Sequence, residues 1–457
     1  MNVACVLYTS DLRVHDHPPL RAALSSGDAV VPLFVRDDGI DAAGFAAPNR
    51  LAFLADALAD LDAALRDRGG RLVLRSGDPV AAVLAVVREV DADEVHTAAG
   101  VTRYAHAREE RLRRALEAEG RRLYVHDAVV TAVAPGAVTP TGSDHFAVFT
   151  PYLRRWAETP ARAPLAAPRT VRVPDQLSSD PLPRRSALSG VSPGLAKGGE
   201  SAGRSLLTSW LRGIDRYEEI HDDLAGDATS RLSPHLHFGT VSAAEVVARA
   251  RAKGGPGAEA FVRQVCWRDF HHQVLAARPD AARADYRARG DHWRTEGEAK
   301  EDIAAWREGR TGYPLVDAAM RQLAHEGWMH NRGRLVTAGF LAKTLYVDWR
   351  IGARHFLDLL VDGDVANNQM NWQWVAGTGT DTRPNRVLNP IRQAHRYDPD
   401  GDYVRRWVPE LAGLAGPAVH EPWKLTGLDR AAFDDYPDPI VELAEGLERF
   451  RRGRGAA

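Results

Sequence analysis

The sequence predicts a two-part fold: an N-terminal α/β domain on an open, parallel, Rossmann-like sheet, then a large all-α domain. Three observations predict it. Over residues 1–128, short apolar runs alternate with amphipathic helical stretches, the pattern of strand–helix–strand crossovers. Residues 129–200 are dominated by Pro, Ser, Ala and Arg with weak periodicity, and read as an interdomain linker. Over 201–450 the apolar residues recur at helical spacing and strand signals are absent.

Taken in order, Val3–Tyr8 is a continuous apolar run closed by Thr9-Ser10-Asp11, as expected of a parallel strand covered on both faces. A short helix at Leu20–Leu24 leads to a second strand, Val30–Val35. Leu51–Arg66 has helical spacing and stops at Gly69-Gly70. A third strand follows at Leu72–Arg75. Pro79–Val90 is a helix, because Asp78 can cap it and Pro79 suits its first position. Glu94–His96 is a fourth strand, Ala105–Glu119 a highly charged helix, and Arg122–His126 a fifth strand. No G-x-G-x-x-G follows the first strand, so a standard dinucleotide loop is not supported. Thr9 to Arg13 and Arg36 to Asp38 fall at strand carboxyl ends, where such sheets bind ligands. Further on, helices are expected at Ala202–Arg212, Ser242–Lys253, Gly257–Ala277, Lys300–Glu308, Tyr313–Glu326, Asn331–Lys343 and Trp349–Leu360.

Composition sets limits. With 44% hydrophobic residues over 457 positions there is ample material for a core. Lys plus Arg number 59 against 61 Asp plus Glu, a formal charge of −2. That balance argues against a histone-like wrapper and still permits a local basic groove. Cys5 and Cys266 are too few for a disulfide framework or a zinc site, and are expected as buried reduced thiols. The start has no basic, apolar leader, and no run of eighteen apolar residues is present. A soluble, cytoplasmic monomer is therefore expected.

The chemistry concentrates in a few segments. Asp362–Pro390 packs Asp362, Asp364, Asn367, Asn368, Asn371, Trp372 and Trp374 closely together. Buried amides and acids must be hydrogen-bonded, and a solvated surface would not carry both indoles, so the stretch suggests a pocket for a polar, planar ligand. The alternative is a polar loop holding two core tryptophans. Ala228–Gly239 offers the hydroxyls of Thr229, Ser230 and Ser233 and the guanidinium of Arg231, which suit phosphate at a helix N-terminus; an ordinary helix cap is the alternative. In Phe261–His272, Gln264, Trp267 or Arg268, and His271 share a helix face, and an amide one turn from an indole suits an unstacked base. His271 and His272 point apart on a helix and no third ligand is at hand, so no metal is expected. Arg332 and Arg334 are two apart, so one can meet phosphate and the other a buried acid such as Asp362. Seven tryptophans lie between 267 and 374, more than packing requires.

Together these segments resemble the DNA photolyase/cryptochrome family. TSDLRVHDHPPL, TSRLSPHLHFG, CWRDF, TGYPLVDAAMRQL, GWMHNRGR, DWR (Asp348–Arg350), DGDVANN and NWQWVAGTGTD occur in the family's order and spacing, and the likeness runs from residue 1 to about 445. Within the family the chain is most similar to actinobacterial class I cyclobutane pyrimidine dimer photolyases. The resemblance implies FAD in the helical domain and UV-damaged DNA as partner. Tyr217, Thr229, Ser230, Arg231, Leu232 and Ser233 match cofactor phosphate and ribose contacts. Asp362, Gly363 and Asp364 match the flavin-edge loop, with Arg334 paired to Asp362, and Asn368 matches the Asn facing flavin N5. Trp372, Trp349 and Trp293 match the electron wire. Trp267 and Trp374 match the walls of the substrate cavity; Gln264, Arg268, His271, Asn331, Arg332 and Gln393 belong to the cavity or DNA surface. The implied reaction is light-driven electron transfer from reduced FAD to a dimer flipped out of the duplex.

Two departures stand out. Gln264 occupies a position where many class I members carry Glu, a feature more familiar from (6-4) photolyases, and Leu335 replaces a frequent Met. Ala105 stands where folate-binding members have a Glu, so the second, antenna chromophore is expected to be 8-hydroxy-5-deazaflavin, with methenyltetrahydrofolate as the alternative. Thr9, Asp11, Arg13, Arg36 and Asp38 are its expected neighbourhood. A (6-4) photolyase or a cryptochrome-type light sensor remains as an alternative function; the short charged segment Val441–Arg452 near the end of the sequence is unlike a long signalling extension.

Overall fold

A computed structural model describes residues 2–175 and 177–455. The chain divides into two compact units. The first comprises the chain up to Val191 with Ala196–Glu218 and Ser230–Pro279; the second comprises Ser192–Leu195, Glu219–Thr229 and the chain from Asp280 on.

In the first unit β1 (Val3–Tyr8), β2 (Ala29–Asp37), β3 (Val73–Gly77), β4 (Glu94–Ala98) and β5 (Arg122–His126) form one parallel sheet in the order β3-β2-β1-β4-β5. Central Cys5 pairs with Val31 on one side and Val95 on the other. Alternate residues serve opposite faces. Cys5, Leu7, Val31 and Leu33 pack with Val83, Val86, Leu112 and Leu116. Ala4, Val6, Val30 and Phe34 pack with Leu20, Leu58, Leu61 and Leu65. Helices therefore cover both faces, which is why these strands read as unbroken apolar runs and not as alternating ones. Strand order reverses between β1 and β4, so the ligand crevice of such a sheet lies beyond Tyr8 and Ala98. Asp78 caps the helix Pro79–Val90, accepting from the amides of Val80 and Ala81. Both cysteines are free and buried, and burial pushes the Cys5 thiol up to about 12.

The stretch expected as linker carries a helix, Phe149–Glu158, whose Tyr152 and Trp156 are buried. Its indole Trp156 Nε1 donates to Asp269 Oδ2 at 2.9 Å, and the same oxygen accepts from the amides of Ala132 and Val133 at 3.0 Å each. Its two buried residues lie one turn apart on one face, a pattern too short to stand out within the surrounding Pro- and Ser-rich stretch.

The second unit is helical: Lys300–Glu308, Pro314–Glu326, Asn331–Gly339, Trp349–Leu359, Val365–Ala376, Pro390–Tyr397 and Leu443–Gly453 pack around Trp306, Met320, Leu341, Phe356 and Trp372. Among the described residues the β pairing outside the sheet is one bridge, Arg294 with Val347. The helix expected through Lys343 is α-helical to Gly339 and then widens into a π turn, Phe340–Thr344. Val365–Ala376 was not legible as a helix, because Asn and Gln interrupt its apolar spacing. It forms between the Asp364 cap and left-handed Gly377, with Met370 and Trp372 buried.

Candidate cofactor and substrate site

In the second unit the site is built around Asp362. Arg334, in the first turns of the helix Asn331–Gly339, donates from Nη2 to Asp362 Oδ2 at 2.8 Å and from Nε to the Met329 carbonyl at 2.9 Å. The other carboxylate oxygen, Asp362 Oδ1, is buried and has no hydrogen-bond partner in the protein. Leaving a charged oxygen so placed costs more than the roughly 1–3 kcal/mol of a neutral group. Thr229 Oγ1 and Trp372 Nε1 are likewise buried and unpartnered. A buried carboxylate oxygen beside an arginine-paired one fits a polar cofactor that brings an N–H donor better than an apolar one.

Asp364 is first a helix cap, accepting from the Asn367 amide at 3.1 Å. Asn368 is buried, and both its amide hydrogens are engaged, by the Ala353 carbonyl at 3.0 Å and Gln369 Oε1 at 2.9 Å. What Asn368 has left to offer is its acceptor oxygen. Gln369 and Gln373, one turn apart, reach the backbone of the segment 281–286: Gln369 Nε2 donates to the Ala282 carbonyl, and Gln373 bonds Ala281, Ala284 and the Tyr286 amide. Sequence reasoning missed this anchor. A Gln every fourth residue on a helix otherwise rich in Asn was its only signal.

Arg332 is expected in the substrate cavity or at the DNA. Its Nη2 donates to Asp222 Oδ2 at 2.7 Å and its guanidinium lies 4.2 Å from the Tyr397 ring centroid. Neighbouring His330 is kept neutral: burial pulls its pKa down to about 4 against the pull of Asp222 and Asp227. Asn331 is exposed, Trp374 half-buried, and Gln393 carries a buried, unpartnered Oε1.

Two of the three tryptophans lie inside and one lies nearer the surface. Trp372 and Trp349 are buried and Trp293 is partly exposed. Trp372 packs edge-on against Phe356 and Trp306, at 4.9 and 6.1 Å between centroids. Trp349 Nε1 donates to Asp285 Oδ1 at 2.8 Å, which favours an electron-deficient indole; Arg350, 4.8 Å from the ring centroid, opposes it. The Arg294–Val347 bridge ties the Trp293 segment to the strand-like lead into Trp349.

In the first unit the face predicted on Phe261–His272 runs from solvent inward. Gln264 is exposed, Trp267 and Arg268 are half-buried, and His271 is buried. Trp267 stacks on Phe149 at 3.6 Å and 7°. The Arg268 guanidinium donates to the carbonyls of Val130 and Leu236 at 2.8 and 3.1 Å. His272 Nδ1 bonds the Arg268 carbonyl. Tyr217 is buried edge-on to Trp210. Ser230 Oγ accepts from the Leu232 amide at 3.3 Å, Arg231 adopts a left-handed φ of 49°, and Leu232 is buried. The helix from Ser233 has five residues, too short to supply the macrodipole expected there. Of the expected antenna neighbours, Arg13 is buried, donating to the carbonyls of Asp16, Gly239 and Val129, and buried Asp11 lies 2.9 Å from His17 Nε2. Internal structure engages both. Thr9, Arg36 and Asp38 remain accessible.

Among the described residues no group of three His, Cys, Asp or Glu is placed to hold a metal, and no helix is long and apolar enough to cross a membrane.

The chain belongs to the DNA photolyase/cryptochrome family: the DNA photolyase domain matches residues 4–169, and the FAD binding domain of DNA photolyase matches 261–454. A deoxyribodipyrimidine photo-lyase of Streptomyces griseus is 69% identical over 100% of both chains. A crystal structure of a bacterial class III photolyase from Agrobacterium tumefaciens superposes with a TM-score of 0.92 at 32% identity, covering 100% of this chain and 98% of that one. A Synechocystis cryptochrome gives 0.89 at 29% identity, over 99% of each chain.

Proposed function

We infer that the protein is a deoxyribodipyrimidine photo-lyase, a carbon–carbon lyase that repairs cyclobutane pyrimidine dimers in DNA with light. The observation that carries this is the 69% identity, end to end, to the Streptomyces griseus photo-lyase. The match to the FAD binding domain makes FAD the cofactor.

What the reduced flavin supplies when bound is a photo-excited electron for splitting the dimer. The remaining work belongs to the chain. We assign Asp362, Gly363, Asp364, Arg334, Thr229 and Asn368 of the second unit, and Tyr217 and Ser230–Ser233 of the first, to holding the cofactor. The unpartnered Asp362 Oδ1 supports this, since a buried carboxylate oxygen calls for an N–H donor. With its own N–H groups engaged, Asn368 presents an acceptor, which suits a ring nitrogen that carries a proton and so favours the reduced cofactor. Trp267 and Trp374 offer stacking surfaces worth roughly 1–3 kcal/mol per base, and Gln264, Asn331 and Gln393 amides that can read base edges. Arg268, Arg332 and His271 are proposed for the same cavity or DNA surface, with the two arginines held in place by their internal partners. Trp372, Trp349 and Trp293 form the proposed path by which electrons reach the cofactor from the surface.

For the antenna we propose 8-hydroxy-5-deazaflavin, because Ala105 offers no carboxylate to a folate; Thr9, Arg36 and Asp38 are its accessible neighbours. Chromatography of the chromophore released from protein produced with deazaflavin or folate supplied tests this. We also propose that the protein is cytoplasmic, which suits a proposed substrate in DNA, and a monomer, which sedimentation checks.

The functional test uses two oligonucleotides, one carrying a cyclobutane thymine dimer and one a (6-4) product. Reduced protein should restore the first only, and only in light. Repair of the second only would reassign the substrate and give Gln264 its meaning; repair of neither would favour a sensor.

A further inference from the structure

We propose that Tyr346 extends the tryptophan row by one step, giving an electron to oxidised Trp293 while its phenol proton passes to Asp291. This rests on the reading of Trp372, Trp349 and Trp293 as a relay. The rings of Trp293 and Tyr346 are in contact, with centroids 4.8 Å apart and planes tilted by 34°. The Tyr346 hydroxyl donates to Asp291 Oδ1 at 2.8 Å. Arg454 holds that carboxylate from its other side, donating from Nε and Nη2 at 2.8 and 2.9 Å. Tyr346 is 1% exposed and the Asp291 side chain likewise.

The backbone is adapted to this placement. Tyr346 has a φ of 55°, a left-handed conformation uncommon and strained for a bulky residue. Gly453 leaves room for the ring: a Cβ there would collide with Tyr346 Cε1. A side chain that merely filled space would need neither the hydroxyl nor a carboxylate at its end.

The step balances. One electron leaves the phenol for the Trp293 radical cation, which returns to neutral tryptophan. The phenol O–H bond breaks and its proton forms a new O–H bond on Asp291, leaving a neutral tyrosyl radical. The oxidant at the head of the row is photo-excited oxidised flavin. Burial and then the Asp291 hydrogen bond push the resting phenol's pKa up, so it starts protonated. Once oxidised, a phenol is so strong an acid that even an arginine-paired carboxylate takes its proton. Because the tyrosyl radical is neutral and screened from solvent, the electron returns to it slowly, and the cofactor stays reduced longer.

The test is flash photolysis of FAD-loaded, oxidised protein, followed by transient absorption and electron paramagnetic resonance. Wild type should show a tryptophan radical converting to a tyrosyl radical, several-fold more slowly in D2O. Tyr346→Phe and Asp291→Asn should stop at the tryptophan radical, which then decays several-fold faster. Wild type carrying ring-deuterated tyrosine should show an altered resonance pattern, a readout that does not depend on either variant folding. A tryptophan radical in wild type with no tyrosyl radical overturns the proposal and leaves the relay intact. A tyrosyl radical that survives in Tyr346→Phe overturns it by placing the step on another tyrosine. No tryptophan radical at all overturns the relay and this step together.

Discussion

Asp362 has two partners to satisfy and the protein supplies one. Replacing it with Ala leaves Arg334 without its counter-ion. The loss of stability should fall below the roughly 3–5 kcal/mol of a fully buried pair, because Arg334 is partly exposed. Cofactor retention should fall further than stability, read as flavin absorbance per protein after gel filtration. Trp349→Phe keeps an aromatic side chain but removes the oxidisable indole together with its donor to Asp285. It should slow light-driven reduction of oxidised flavin at least about tenfold, equivalent to roughly 1.4 kcal/mol of barrier, while chemically pre-reduced protein repairs dimers normally. Repair and photoreduction falling together would show that Trp349 serves packing instead. Single residues also show where sequence reading stops. The offset of Arg332 and Arg334 correctly allowed one to meet Asp362, but Asp222, which claims the other, is 110 residues away in the sequence.

At the scale of elements, the helix Val365–Ala376 sets the site by its two neighbours. Gly352 on the helix Trp349–Leu359 faces the Trp372 ring so closely that a Cβ would strike it.

 Gly352→Ala should therefore displace that indole, destabilise the protein by about 1–3 kcal/mol and slow photoreduction, with calorimetry and flash photolysis as the measurements. Asp269 does comparable work in the first unit, where one carboxylate oxygen gathers Ala132, Val133 and Trp156 onto the helix Gly255–Ala277. Asp269→Ala strands three donors and should lower stability by about 2–4 kcal/mol, at roughly 1 kcal/mol or more for each, seen as a lower denaturant midpoint. Elements with a clear apolar run or period were legible: the five strands, Pro79–Val90 with its Asp78 cap, and Lys300–Glu308. Val365–Ala376 was not, because its Asp364 cap and its side-chain hydrogen bonds leave no apolar periodicity, and Phe149–Glu158 was not, because it is a short helix inside a Pro- and Ser-rich stretch.

For the whole molecule, acid is the condition to probe. Burial pulls His126, His235, His330 and His355 each down to about 4, so the fold holds them neutral. Below about 6.5 the unfolded chain binds protons that these sites refuse. Their stability contribution is thus present above pH 6.5 and lost as pH falls towards 4. The melting temperature should drop steadily over that window, and a flat profile would mean that these rings reach solvent. By itself the sequence determined the alternation of strand and helix, the switch to an all-helical second half, and the family, because periodicity and ordered motifs are local properties. The tertiary structure decided which polar groups are engaged and which are left open. Arg13, Arg268 and Arg332 looked available and are held by carbonyls or an acid, whereas Asp362 Oδ1 stays unpartnered. The reason is physical: a guanidinium or carboxylate acts according to the partners brought to it, and those come from residues far away along the chain.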